Sequence, residues 1–169
     1  MPEVDAKTFR RACGLFTTGV TVVTTVVDGQ VHGMTANSFT SVSLEPPLVL
    51  VCVDLRSKMA QLLSSSKAFT INLLAHHQEP VSRHFAGSDG EWSGSFIPFG
   101  PSVRLDDCLA ALSCERFAQY PAGDHVIVIG RVEDIYQPDG EGSPLVFWRG
   151  RYTSLVGESS SQPCLGKIV

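Results

Sequence analysis

Val20-Thr21-Val22-Val23-Thr24-Thr25-Val26-Val27-Asp28-Gly29-Gln30-Val31-His32-Gly33-Met34-Thr35-Ala36 is the stretch on which the reading of the fold turns. Every residue from Val20 to Val27 is β-branched, and such side chains lose χ1 freedom in a helix but pack well on a pleated sheet. Asp28-Gly29 follows, a pair that tolerates positive φ at both centres of a two-residue hairpin turn. Gln30–Ala36 is then the return strand, so the chain opens with an antiparallel pair.

Outward from that hairpin the pattern stays mostly β. Val4–Phe16 reads as a short amphipathic helix, with Asp5 as N-cap and Phe9, Ala12, Cys13 and Phe16 on one face. Asn37–Glu45 is polar and hydroxyl-rich, and Pro46-Pro47 interrupts any continuing ladder. Leu48–Val53 is continuously apolar, the pattern of a strand buried on both faces. Ser57 caps a short helix through Ser64, Phe69–Leu74 is a strand, and Glu79–Ala86 a second short helix after the His76-His77-Gln78 loop. Gly87–Pro101, rich in Gly and Pro, reads as a long loop. Leu109–Phe117, His125–Tyr136 and Leu145–Tyr152 complete about seven strands. Many strands with few helices predict a mainly β fold, a small antiparallel barrel. The expected boundaries are one domain over 1–157 and a loosely held tail over 158–169.

Composition narrows the function classes. A chain of 169 residues is one domain against a norm of about 150 per domain. Thirteen basic against seventeen acidic residues give a net charge of −4, which argues against a protein built to neutralise nucleic-acid phosphates. The longest apolar run, Leu48–Val53, is far short of the roughly 20 residues that span a bilayer. The N-terminus lacks an apolar signal core, so a cytoplasmic location is expected. Five cysteines (13, 52, 108, 114 and 164), without any C-x-x-C pair, read as reduced thiols, Cys52 as a small buried hydrophobe. No metal site is expected, because His76, His77 and His84 match no ligand spacing. No G-x-G-x-x-G turn, P-loop or G-x-S-x-G elbow occurs; Gly140-Glu141-Gly142 lacks the third glycine. Any nucleotide must be held by loops and strand edges.

The segment Gly33-Met34-Thr35-Ala36-Asn37-Ser38-Phe39-Thr40-Ser41-Val42-Ser43-Leu44-Glu45-Pro46-Pro47-Leu48-Val49 carries a resemblance. So do Thr17–Thr25, Asp54 with Ser57-Lys58, Ser82–Gly87, Gly123-Asp124-His125 and Phe147 with Arg149-Gly150-Arg151-Tyr152. Together, over about Phe9 to Val156, they resemble the flavin reductase family, the reductase components of two-component flavin-dependent monooxygenases. The resemblance implies an FMN-binding antiparallel split β-barrel of Greek-key type, a homodimer, that reduces FMN or FAD with NADH or NADPH, NADH favoured. It also implies that reduced flavin reaches the oxygenase partner by diffusion.

On that resemblance, Thr35, Ala36, Asn37 and Ser38 offer backbone N–H groups, hydroxyls and an amide to the flavin's pyrimidine edge, where negative charge develops near N1 and O2. Read alone, the same segment is a hydroxyl-rich loop closing a barrel corner. Val53 and Asp54 with Ser57 and Lys58 supply a helix start and a cation for the flavin phosphate; read alone, they are a capped helix beside a solvated lysine. Phe85, Ala86 and Gly87 are expected along the flavin, with a plain core contact for Phe85 as the alternative. Gly123, Asp124 and His125 are expected at the nicotinamide, His125 acting by positioning, since hydride transfer needs no protein base; a strand-edge histidine after a Gly-Asp turn is the other reading. The rival function on the same barrel is a flavin-binding electron carrier or storage protein without nicotinamide activity. A pyridoxamine-phosphate oxidase would call for a compact basic cluster, which the sequence lacks.

Overall fold

The computed structural model describes residues 4–140 and 142–155; the expected tail over 158–169 lies outside the described residues. The elements run α1 Ala6–Cys13, β1 Thr18–Gly19, β2 Thr21–Val27, β3 Gln30–Ala36, β4 Thr40–Leu44, β5 Pro47–Asp54, α2 Lys58–Ser65, β6 Ala68–Leu73, a single 3₁₀ turn His76–Gln78, α3 Glu79–Phe85, β7 Phe96–Phe99, β8 Ser102–Leu105, β9 Ala110–Ala122, β10 His125–Tyr136, β11 Val146–Trp148 and β12 Arg151–Thr153.

The opening hairpin forms as expected: Val27 pairs with Gln30, and Asp28 and Gly29 both have positive φ, the type I′ geometry. Its strands enter an antiparallel seven-stranded sheet ordered β3-β2-β6-β9-β10-β5-β4. β5 lies near one edge, yet its chain crosses through α2 to reach β6 near the middle. The sheet curls until β3 again touches β5, and α2 packs against β2, β3 and β5. Met59, Ala60 and Leu63 of α2 thus plug a barrel core built with Val23, Val51, Val53, Phe69, Ile71 and Val128. Gly130 lets Phe69 lie flat there, since a Cβ at 130 would meet the Phe69 ring at 2.6 Å.

A second core covers the outer face of β2 and β6. Val20, Val22, Leu74, Leu105 and Leu145 meet Phe85, Trp92, Phe96, Phe147 and Tyr152, contributed by α3, the loop after it, β7 and the β11–β12 hairpin. A polar seam runs beside it. Asn72 donates to the Val22 carbonyl at 2.9 Å and accepts from the Leu105 N–H at 2.8 Å, which locks β8 onto the barrel.

Several local expectations are corrected. Leu48–Val53 is not buried on both faces: β5 alternates between Val49, Val51 and Val53 in the barrel and half-buried Leu48, Leu50 and Cys52 outside. Cys52 is therefore half-buried rather than a core residue. Asn37–Glu45 contains the edge strand β4, where hydroxyl side chains are tolerated because most of them stay exposed. The loop 87–101 includes β7, which pairs with β8. Leu145–Tyr152 is two strands, folded at Arg149-Gly150, both with positive φ. Among the described residues the sheets hold twelve strands rather than about seven. The first helix keeps its Asp5 cap but spans only Ala6–Cys13, and its apolar face is uncovered, with Phe9 60% and the following Phe16 79% exposed.

Candidate functional site

β3 is an edge strand, with no strand paired to its outer side among the described residues, and several of the expected site residues lie on or beside it. α2 packs against it, and α3 packs against it as well. Near its middle, His32, Gly33 and Met34 line a cleft of about 190 Å³ together with Ser57, Lys58, Met59 and Leu62. Ser57 caps α2: its Oγ accepts from the Ala60 N–H at 3.2 Å and donates to the Asp54 carbonyl at 2.7 Å. The first N–H groups of a helix lack intrahelical carbonyls, so this turn presents donors to an anion. Lys58 makes no ion pair among the described residues. An unpaired cation beside a helix start and a polar cleft is a donor set that fits a phosphate.

β10 brings the other half. His125 pairs with Asp54 and Val126 with Val53 across the sheet, and the Leu55 N–H donates to the Asp124 carbonyl at 3.0 Å. The Gly123-Asp124 loop, with Gly123 at φ +64, is a two-residue turn of the kind that needs glycine first. Asp124 Oδ1 lies 2.7 Å from His125 Nδ1, which leaves Nε2 as the nitrogen available to a ligand. That hydrogen bond holds the Asp124 carboxyl below the usual range. Asp54 is engaged by Arg56, through Nε at 3.1 Å and Nη2 at 2.7 Å, and these bonds with the Arg56 N–H hold its carboxyl well below the usual range. Both carboxylates are thereby engaged, Asp54 by the Arg56 guanidinium and Asp124 by the His125 ring nitrogen.

The Thr35–Ser38 segment is more constrained than its composition suggests. Thr35 Oγ1 donates to the Ser82 carbonyl at 2.6 Å, and Ser38 Oγ bridges the N–H and carbonyl of Cys52 at 3.0 and 2.9 Å. Asn37 Nδ2 donates to Thr18 Oγ1 at 3.2 Å, and Ala36 faces the barrel core. These side chains fix the backbone, and backbone groups with the Asn37 carbonyl oxygen are what the segment offers outward. Asn37 also lines a larger apolar cleft of about 330 Å³ with Phe16, Thr18, Phe39, Leu73 and Leu109.

Phe85, Ala86 and Gly87 lie on the other side of β3. The Phe85 ring packs over Gly33 and against Trp92 at 5.0 Å, so it is a core contact. The Ala86 and Gly87 N–H groups close α3 by donating to the carbonyls of Ser82 and His84. Val53 likewise points into the barrel, leaving only its backbone to a ligand. Sequence reasoning missed His32, Met34, Met59 and Leu62 in the cleft and Arg56 on Asp54. Only the Arg56 pairing carried a local signal, an opposite charge two residues away.

The fold is an antiparallel split barrel in which a capped helix start, a lysine without an ion pair among the described residues and a histidine–carboxylate pair lie near one another. The flavin reductase like domain matches residues 13–156, and the chain belongs to that family. An NADH-dependent flavin reductase of a Rhodococcus species is 46% identical over 158 residues, which cover 91% of this chain and 89% of the relative. The reductase component of 4-hydroxyphenylacetate 3-monooxygenase from Thermus thermophilus is 44% identical over 151 residues, covering 89% and 97%. Among solved structures, flavin reductase PheA2 superposes with a TM-score of 0.87 at 41% identity, covering 91% of this chain and all of the other (100%). The NADH:FAD oxidoreductase SgcE6 of Streptomyces globisporus, in complex with NAD and FAD fragments, gives 0.85 at 35% identity, covering 95% and 100%.

Proposed function

We propose that this chain is an NADH-dependent flavin reductase that supplies reduced FMN or FAD to a flavin-dependent monooxygenase. The observation that carries this is the cross-strand register of His125 on Asp54, which sets the histidine–carboxylate pair beside the Ser57-Lys58 helix start. Lys58 and the first turn of α2 hold the phosphate, while the Thr35–Ser38 backbone orients the ring along the β3 edge. When bound, the flavin supplies a ring that accepts hydride from the nicotinamide. His125, its Nδ1 engaged by Asp124, positions the nicotinamide nucleotide through Nε2 and transfers no proton. The exposed apolar face of α1, with Phe9 and Phe16, and the exposed Trp148 support a homodimer, and a cytoplasmic setting suits the reduced thiols. No helix among the described residues is long and apolar enough to cross a membrane.

Anaerobic stopped-flow mixing of protein and FMN or FAD with NADH tests the reading. Fast bleaching of the flavin's visible absorbance, slowed in His125→Ala, is expected. Flavin uptake without bleaching by NADH or NADPH would make the protein a carrier barrel.

A further inference from the structure

The hairpin β11–β12 stands apart from the flavin edge, yet two hydrogen-bonded paths run from it to that edge. The first passes through Ser82, which is fully buried in α3. Ser82 Oγ lies 2.8 Å from the Tyr152 hydroxyl of β12, and the carbonyl of the same residue accepts the Thr35 hydroxyl at 2.6 Å. The second passes through β1: Phe147 of β11 pairs with Thr18, whose Oγ1 accepts the Asn37 amide at 3.2 Å. The hairpin thus braces Thr35 from the α3 side and Asn37 from the β1 side.

Tyr152 is itself held in place. Its ring packs edge-on against Phe147 at 5.4 Å between centroids, and the Arg83 guanidinium lies over it at 5.1 Å. A tyrosine hydroxyl in such a setting has one well-defined direction, and Ser82 is where it points. A hydrophobic residue would serve at 152 if packing alone were needed. The hydroxyl's partner is a buried serine whose carbonyl accepts both the Ala86 N–H that closes α3 and the Thr35 hydroxyl of β3.

We propose that Tyr152 is a positioning residue for flavin binding, acting through Ser82 on Thr35 to set the backbone of the Thr35–Ser38 segment. The inference rests on the reading that flavin lies along the β3 edge. It gives a role to the Phe147–Tyr152 motif, whose residues line neither cleft except through these contacts. Among the described residues, β3 has a hydrogen-bonded strand on one side only, so side-chain ties such as that from Thr35 to Ser82 help to set its placement.

The test is equilibrium FMN binding, followed by flavin fluorescence, for the wild type, Tyr152→Phe, Thr35→Val and the double variant, with steady-state kinetics on each. Loss of one buried hydrogen bond predicts that Tyr152→Phe weakens FMN binding about three- to tenfold. Turnover at saturating flavin stays within about twofold, because a misplaced binding edge raises KM rather than slowing transfer once flavin is seated. The double variant is expected to bind no more weakly than the worse single variant, the signature of one shared path. Ser102→Ala serves as the comparison: its buried hydroxyl reaches only the Thr24 carbonyl, at 3.4 Å, and it is expected to bind FMN as the wild type does. Unchanged affinity in Tyr152→Phe, strictly additive effects with Thr35→Val, or equal weakening in Ser102→Ala would each overturn the proposal. If the wild type itself takes up neither FMN nor FAD, the flavin-reductase reading is what fails.

Discussion

Replacing Gly33 by alanine puts a methyl group where the ring of Phe85 now lies: a Cβ at this position would sit 2.5 Å from Phe85 Cδ1 and 2.6 Å from Cε1. The ring has little room to retreat, being packed on its far side by Trp92 at 5.0 Å and Phe96 at 6.2 Å. Forcing extra volume into such a contact costs about 1–3 kcal/mol. The same substitution restricts the unfolded chain, which returns about 0.4–1 kcal/mol. The net loss is about 1 kcal/mol or somewhat more, and in a chain of this size it lowers Tm by about 2–4 °C per kcal/mol. Thermal melting by circular dichroism reads this directly. The decisive comparison is the double variant with Phe85→Leu, which shortens the obstructing ring. Its destabilisation is expected to fall below the sum of the singles by about 1 kcal/mol, as for residues in direct contact. A Gly33→Ala protein that melts with the wild type, or singles that simply add, would refute the claim that close approach to Phe85 is why glycine stands there.

Three further outcomes follow from the site and the core. Lys58→Ala should raise the KM for FMN about tenfold or more through loss of a charge-assisted contact, and leave that for riboflavin unchanged; equal weakening of both would remove Lys58 from the phosphate. Arg56 holds Asp54 below its ordinary pKa, so the Asp54 charge favours the folded state above the unfolded pKa of about 4, and this contribution disappears as pH falls through the depressed folded value. Urea midpoints of the wild type and Asp54→Asn should therefore differ by a constant amount above pH about 4 and converge in stronger acid; a gap that widens toward low pH would contradict the pairing. Burial pushes the Cys108 and Cys114 thiols up to about 11 and about 12, so a thiol-specific reagent at neutral pH should spare both until the protein is unfolded, while exposed Cys13 reacts at once. Mass mapping of the labelled peptides checks this.

The local features of this fold were legible because each is decided within a few residues. Asp28-Gly29 makes its turn through backbone freedom at two adjacent positions, and Asp5 and Ser57 cap helices by reaching the N–H groups just ahead of them. The boundaries of Gln30–Ala36 and His125–Tyr136 coincide with the sequence reading for the same reason: turn residues or breaks in the periodic pattern flank them. The motifs of the site were legible as types of residue at intervals that resemble a family, and the family assignment holds over residues 13–156.

Which atoms of those residues face a ligand was settled only by pairing between remote segments. Thr35 and Ser38 look like free hydroxyls in sequence, yet Ser82 and Cys52, 47 and 14 residues away, take up both. Phe85 packs into the second core because Gly33 leaves it a recess, and Leu48–Val53 buries only alternate residues because successive side chains of β5 point into the barrel and out of it, where Leu48, Leu50 and Cys52 stay half-buried. Composition, turn chemistry and motif order are written along the chain and determine that it is an antiparallel β protein of this family. The register of His125 on Asp54, the cleft between β3 and α2, and the brace from Tyr152 to Thr35 belong to the tertiary structure, because each depends on contacts between segments that no local periodicity encodes.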